Sequence, residues 1–270
     1  MTIFFDKLSS GTKDGTDSTA VFEITEDMSK EDIMKHAQTE PCNVIEMVAA
    51  ECQEDFNKWM VATSKYCDPC ILNILDCNDA SVIPNIFRRF KRLATLKLIG
   101  MEELECLPPT LFSIKTLKVL HLECLYRIPK VSCRLTCLTS LEDLIIRYLP
   151  ELEEFPTKLE GLKELKYFEI TDCPYATIPK DFNHNPKLRT LKITNTVEAD
   201  SSILKLLIPS LHDECTVEMT NKLQSEEVTY NELQKAINMC QNTIRITDPG
   251  VRVVQFTVEQ IKFCLEQVEI

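Results

Sequence analysis

LEDLIIRYLPELEEFPTKLEGL, residues 141–162, decides the fold. Moved along the chain in steps of 24, with one of 23, its apolar residues fall into columns. The first column reads Pro69, Leu93, Leu117, Leu141, Leu165 and Leu188. The fourth reads Leu72, Leu96, Leu120, Leu144, Phe168 and Leu191, and the sixth Ile74, Leu98, Leu122, Ile146, Ile170 and Ile193. An apolar residue before proline recurs at Ile83-Pro84, Leu107-Pro108, Ile128-Pro129, Phe155-Pro156 and Ile178-Pro179. A fixed period in this range means one supersecondary unit stacked on copies of itself, because a single unit cannot bury its own apolar face.

Within each copy, the fourth and sixth columns alternate with outward residues, which predicts a short strand. Strands are expected around 71–75, 95–99, 119–123, 143–147, 167–171 and 190–194. Proline lacks an N–H and fixes φ, so each apolar-proline pair marks an irregular return. The ninth column reads Cys77, Met101, Leu125, Leu149, Cys173 and Thr196, so a polar ladder there is interrupted in mid-array.

Outside the columns the chain divides into a polar arm (1–28), a helical N-terminal cap (29–68) and a C-terminal α/β cap or small domain (212–270), around a repeat block at 69–211. Ser29 and Asp32 make a capping pair for a first helix that Pro41 ends. Ile45, Val48, Ala49, Cys52, Phe56, Trp59 and Met60 follow at helical spacing and predict an amphipathic helix over 43–65, covering the open end of the stack. In the tail, Thr229 and Glu232 form a capping box, Asp248-Pro249-Gly250 is a turn between β-rich runs, and a last helix starts near Thr257.

The pattern LxxLxLxxCxxLxxLPxxLxxL is met by Leu141, Leu144, Ile146, Leu152, Phe155-Pro156, Leu159 and Leu162. Leu93, Leu96, Leu98, Leu104, Leu107-Pro108, Leu111 and Ile114 meet it as well. About half the chain thereby resembles intracellular leucine-rich repeat proteins, and is similar to the repeats of plant-type disease-resistance receptors and of the Ras-group proteins. The resemblance implies an α/β leucine-rich repeat solenoid of about six repeats, with a parallel sheet on its concave, protein-binding face. The nucleotide-binding module of the resistance receptors, G-x-x-x-x-G-K-[ST], does not occur in this sequence.

Charge narrows the partner. The chain carries −12 overall. Residues 1–68 hold 14 acidic against 6 basic side chains, residues 212–270 hold 10 against 5, and the repeat block is nearly balanced. Acidic flanks argue against nucleic acid or an anionic membrane as the main ligand. The basic run Arg88-Arg89-Phe90-Lys91-Arg92 is best read as a solvated turn. No apolar run reaches the length of a signal peptide or a membrane span. The 13 cysteines are odd in number, and Cys77, Cys106, Cys124 and Cys173 fall on or beside core columns. That favours a reducing compartment, the cytoplasm with the nucleus second.

Catalytic chemistry is not expected, nor is a cofactor or metal. Cys67-Asp-Pro-Cys70 stands at the entry to the repeats with no second pair, and His212-Asp213-Glu214-Cys215 are neighbours in sequence without a triad's spacing. The expected function is a non-catalytic interaction scaffold for a protein partner. The alternatives are the substrate-recognition part of a ubiquitin ligase or other enzyme complex, and a signalling or immune-receptor-like repeat protein. The outward positions of the strands nominate Lys97, His121, Glu123, Asp143, Arg147, Tyr148, Tyr167 and Glu169 as the binding face, since Tyr and Arg dominate many interfaces. As solvated residues, Arg147 and Tyr167 should be replaceable by Ala together with loss of partner capture and little change in melting temperature.

Overall fold

A computed structural model describes residues 20–40, 42–179, 181–194, 196, 211, 215–220 and 253–257. Among the described residues ten strands form one sheet in sequence order. They are β1 (Val21–Ile24), β2 (Val44–Val48), β3 (Ile71–Leu75), β4 (Thr95–Ile99), β5 (Val119–Glu123), β6 (Asp143–Arg147), β7 (Tyr167–Thr171), β8 (Thr190–Thr194), β9 (Thr216–Thr220) and β10 (Val253–Thr257). β1 to β9 pair parallel, and β10 runs antiparallel along β9. The six strands expected from the columns occupy the expected residues.

The register explains the columns. Leu72, Leu96, Leu120, Leu144, Phe168 and Leu191 are partners across successive strands, as are Ile74, Leu98, Leu122, Ile146, Ile170 and Ile193. All twelve are fully buried. One continuous core therefore runs behind the sheet, closed by returns that make short 3-10 turns at Phe87–Arg89, Leu111–Ser113 and Cys133–Cys137. The basic run sits on the first of these turns. There Asp68 accepts the N–H groups of Lys91 and Arg92 at 2.7 and 3.2 Å, and the four cationic side chains stay exposed.

Two elements differ from the expected helical cap. Helix α1 (Lys30–Thr39) starts at the Ser29–Asp32 capping box, but Val44–Val48 is strand and helix α2 begins only at Gln53 and ends at Tyr66. Val21–Ile24, inside the expected polar arm, is also strand. These segments are two further repeats whose returns are whole helices. Ile45 and Met47 extend the inward columns, each pairing with the next inward residue on β3. β-Branched Val44, Ile45 and Val48 suit a pleated strand, and the open edge of β3 takes them as its ladder partner. At the other end, the helices expected near residues 229–240 and 257–268 and the turn at 248–250 lie outside the described residues.

Every strand from β2 to β7 stops at a residue with a left-handed backbone: Ala49, Asp76, Gly100, Cys124, Tyr148 and Asp172, at φ between 53 and 67°. Each donates its N–H to the last carbonyl of the next strand, from Ala49 to Leu75 at 3.0 Å through Asp172 to Thr194 at 3.0 Å. Five of the six are not glycine, so the neighbouring repeat holds them in a conformation that L-residues avoid.

The returns pack as closely as the strands. A Cβ on Gly161 would lie 1.9 Å from the carbonyl oxygen of Thr136 in the preceding repeat. Gly161→Ala must push backbone from backbone. We expect a loss of about 1–3 kcal/mol in urea unfolding, the cost of overpacking a tight contact.

Cys77 and Cys173 are buried in the ninth column and Cys124 is partly exposed, whereas Cys106 faces solvent on a return. All the described cysteines are thiols. Burial pushes Cys67 and Cys173 up to about 12, and Cys77 and Cys215 up to about 11. A maleimide should therefore label Cys52, Cys106, Cys133 and Cys137 in the native protein, and these four buried thiols only after denaturation. Fast native labelling of Cys77 or Cys173 would contradict the packing.

Candidate functional site

Side chains at the third, fifth and seventh positions of each repeat leave the concave face of the sheet. In the fifth column the register runs Glu46, Asn73, Lys97, His121, Ile145, Glu169 and Lys192. In the seventh it runs Val48, Leu75, Ile99, Glu123, Arg147, Thr171 and Thr194. Neighbouring columns on such a face are close enough for charged groups to pair across strands.

On β5 to β8 they do. Arg147 binds the Glu169 carboxylate at two points, Nε to Oε1 at 2.9 Å and Nη2 to Oε2 at 2.7 Å. The Tyr167 hydroxyl donates to Oε2 at 2.7 Å, Thr171 to Oε1 at 3.2 Å, and Lys192 Nζ lies 3.3 Å from Oε1. The network continues from Arg147 to Glu123 at 3.8 Å, and from Glu123 to a ring nitrogen of His121 at 2.7 Å. Glu169 is only 1% exposed. Burial alone would raise its carboxyl, but the hydrogen bonds of Arg147 and Tyr167 and the charges of Arg147 and Lys192 outweigh it. They hold the group at about 2.

The nominated residues therefore separate. His121, Glu123, Arg147, Tyr167 and Glu169 form one mutually satisfied network. Lys97 and Asp143 lie on the same face outside it. Asp143 is partly buried, and desolvation, with Glu142 next to it, raises its carboxyl. Tyr148 stands on the rim, in the left-handed turn after β6, 48% exposed. Its hydroxyl is raised first by desolvation and then by Asp172. One expectation needs correcting. Arg147 and Tyr167 are not expendable surface residues, because both hold a buried carboxylate, so replacing them together cannot leave the melting temperature unchanged.

β2 to β4 present a different surface. Val48, Leu75 and Ile99 are register partners and partly exposed, giving an apolar row across three strands. Beside it, Asn73 is 7% exposed and donates to Glu46 at 2.8 Å, while its own Oδ1, closed off from solvent, has no partner among the described residues. Glu46 and Val48 escaped the sequence reading because their segment looked helical. The alternation Ile45, Met47 beneath Val44, Glu46, Val48 was the available signal.

Elsewhere the chemistry-bearing residues do not assemble. Burial first, and then the neighbouring Cys42, raise the Cys67 thiol, and the Cys70 sulfur accepts from Arg92 at 3.2 Å. Among the described residues no cluster of three or more His, Cys, Asp or Glu could hold a metal ion, and no helix is long and apolar enough to cross a membrane. His212, Asp213 and Glu214 lie outside the described residues.

No family model and no curated protein matches the sequence. Among solved structures, the leucine-rich repeat domain of the type III effector XopL is similar at a TM-score of 0.47 and 17% identity, over 73% of this chain and 75% of that one. A leucine-rich repeat protein of Leptospira interrogans is similar at 0.36 and 16%, over 60% of this chain and 51% of that one. Likenesses this distant say nothing of function. The repeat columns and the sheet register are what make this chain a leucine-rich repeat solenoid.

Proposed function

We propose that the chain is a non-catalytic scaffold that binds a protein partner on its concave face, with Lys97, His121, Glu123, Asp143, Arg147, Tyr148, Tyr167 and Glu169 on or beside the contact. The observation that carries this is the length of the face. Nine parallel strands about 4.8 Å apart span on the order of 38 Å, enough to receive a segment or a small domain. An apolar row on β2 to β4 adjoins the charged network on β5 to β8, a mixture that gives an interface both area and register. The near balance of charge in the repeat block favours a protein over a nucleic acid.

Photocrosslinking tests the face directly. A benzophenone amino acid is placed at Asp143 or Val119 on the concave side, and at exposed Glu160 on a return, in the full-length protein in native lysate. A discrete adduct from the concave positions and none from Glu160 is the expected result. Adducts from Glu160 alone would move the interface to the convex side.

A further inference from the structure

We propose that copies of this chain bind one another along the edges of the sheet, the basic edge of one copy seating on the acidic edge of the next. These edges are surfaces separate from the concave face.

The near neutrality of the repeat block conceals a separation of charge. β1 to β9 run parallel, so every strand start lies on one edge of the solenoid and every strand end on the other. The four residues that lead into each of β3 to β8 hold eight basic side chains against three acidic ones, Asp68, Glu142 and Glu164. The 3-10 turn ahead of β4 adds Arg88 and Arg89. Glu142 pairs with Lys118 and Lys166, and Glu164 with Lys187, while Arg88, Lys115 and Lys163 have no ion pair among the described residues. At the other edge, the four residues that follow each of β1 to β7 hold nine acidic side chains against one basic. That one is Arg127, which pairs with Glu103 at 2.6 Å. Seven of the nine acids follow β1 to β4, with no cation in those segments. Crowded together they oppose one another: Glu51, and then Asp27, raise the Glu26 carboxyl. Tyr126, Tyr148 and Tyr175 stand on the same edge, 38, 48 and 65% exposed. Aromatic faces among carboxylates suit guanidinium and ammonium groups, which are attracted to both.

A second copy is the partner whose spacing fits. Backbone hydrogen bonds link Ala94, Lys118, Glu142, Lys166 and Arg189 in turn along the basic edge, and the left-handed residues in turn along the acidic one. Both rows therefore advance by one strand, about 4.8 Å, per repeat. Complementary charge and a common step occur together on this chain. A nucleic acid is opposed by Glu142 and Glu164 within the basic row and by the acidic flanks. The acids are densest after β1 to β4 and the bases before β4 to β8, so the copies meet with a stagger of about four strands, roughly 19 Å. A basic edge on an acidic edge is a head-to-tail contact, and the stagger carries it into an open chain of copies rather than a closed dimer.

The test is sedimentation velocity of the full-length protein, in reductant, as a concentration series at about 25 mM and about 500 mM salt. The sedimentation coefficient should climb with concentration at low salt and stay at the monomer's value at high salt. Two variants each reverse one edge: Arg88→Glu, Lys115→Glu and Lys163→Glu on the basic side, and Glu51→Lys, Asp79→Lys and Glu102→Lys on the acidic side. Either variant alone should associate about tenfold more weakly or worse, since like edges then meet. Mixed in equal amounts at low salt they should associate again, because each supplies the edge the other lacks. Melting curves establish that both fold; where a triple variant does not, Lys115→Glu and Asp79→Lys alone are read the same way. A wild type that stays monomeric at low salt, variants that associate as the wild type does, or a mixture that stays monomeric would each overturn the inference. Loss with the basic-edge variant but not the acidic-edge one would give the basic edge another anionic partner, such as the acidic flanks, and would overturn it as well.

Discussion

Arg147→Ala should destabilise the fold by about 3–5 kcal/mol, the range for removing one partner of a buried ion pair. The reason is what it leaves behind. Glu169 is 1% exposed, and without the two-point contact of Arg147 its charge keeps only Tyr167, Thr171 and Lys192. Arg147→Lys should recover only part of the loss, since an ammonium cannot reproduce two parallel N–H···O bonds. Glu169→Gln in the Arg147→Ala background should restore stability, because the stranded charge is then gone. Urea unfolding of the four proteins measures each step. Near-equal stability of wild type and Arg147→Ala would mean that the pair is solvated and the burial wrong.

The same carboxylate sets an acid limit. Its folded value of about 2 lies below the ordinary 4.5, so the unfolded chain binds this proton first as pH falls. The stabilisation is whole above pH 4.5 and drains away toward pH 2. It amounts to about 3 kcal/mol from the size of the shift. Arg147→Ala should flatten this part of the pH profile, a signature that lost packing alone would not give.

Phe168→Ala should cost a similar 3–5 kcal/mol, the range for deleting a buried aromatic ring. Phe168 takes the leucine place of the fourth column, fully buried between Phe155 at 5.8 Å and Phe182 at 6.1 Å. These neighbours belong to returns on either side, so the cavity would open between repeats rather than within one. Phe168→Leu restores the residue the column carries elsewhere, and still should lose about 1 kcal/mol because the flanking rings no longer meet a ring. If Phe168→Leu proved stabilising, the aromatic stack would be strained rather than complementary.

How much of this could be read from the chain follows from what spacing encodes. Leucines 24 residues apart specify strand, register and inward face together, so β3 to β8 were legible residue by residue. β1 and β2 were not. Ile45, Val48, Ala49 and Cys52 also satisfy a helical period, and the Cys52 side chain makes no cap that would have marked the true start of α2 at Gln53. The binding face was legible only as a list of outward positions. Spacing states that Glu169 and Arg147 leave the same side of the sheet. It does not state that they meet, or that meeting buries Glu169 on a face expected to be wet. Asn73 poses the converse case, since a buried oxygen without a partner leaves no trace in a sequence.

The left-handed residues that end the strands carry an evolutionary consequence. Each closes on the strand after it and on nothing further away, so a repeat together with its turn is a self-contained module. Duplicating residues 141–164 would copy the register, the turn at Tyr148 and the closing bond in one event, and would lengthen the arc by about 4.8 Å. Deletion of a whole module would shorten it by the same step. Reach could thus change in discrete increments by unequal recombination. The returns, which already differ between two long helices and a few 3-10 residues, would absorb the errors in length.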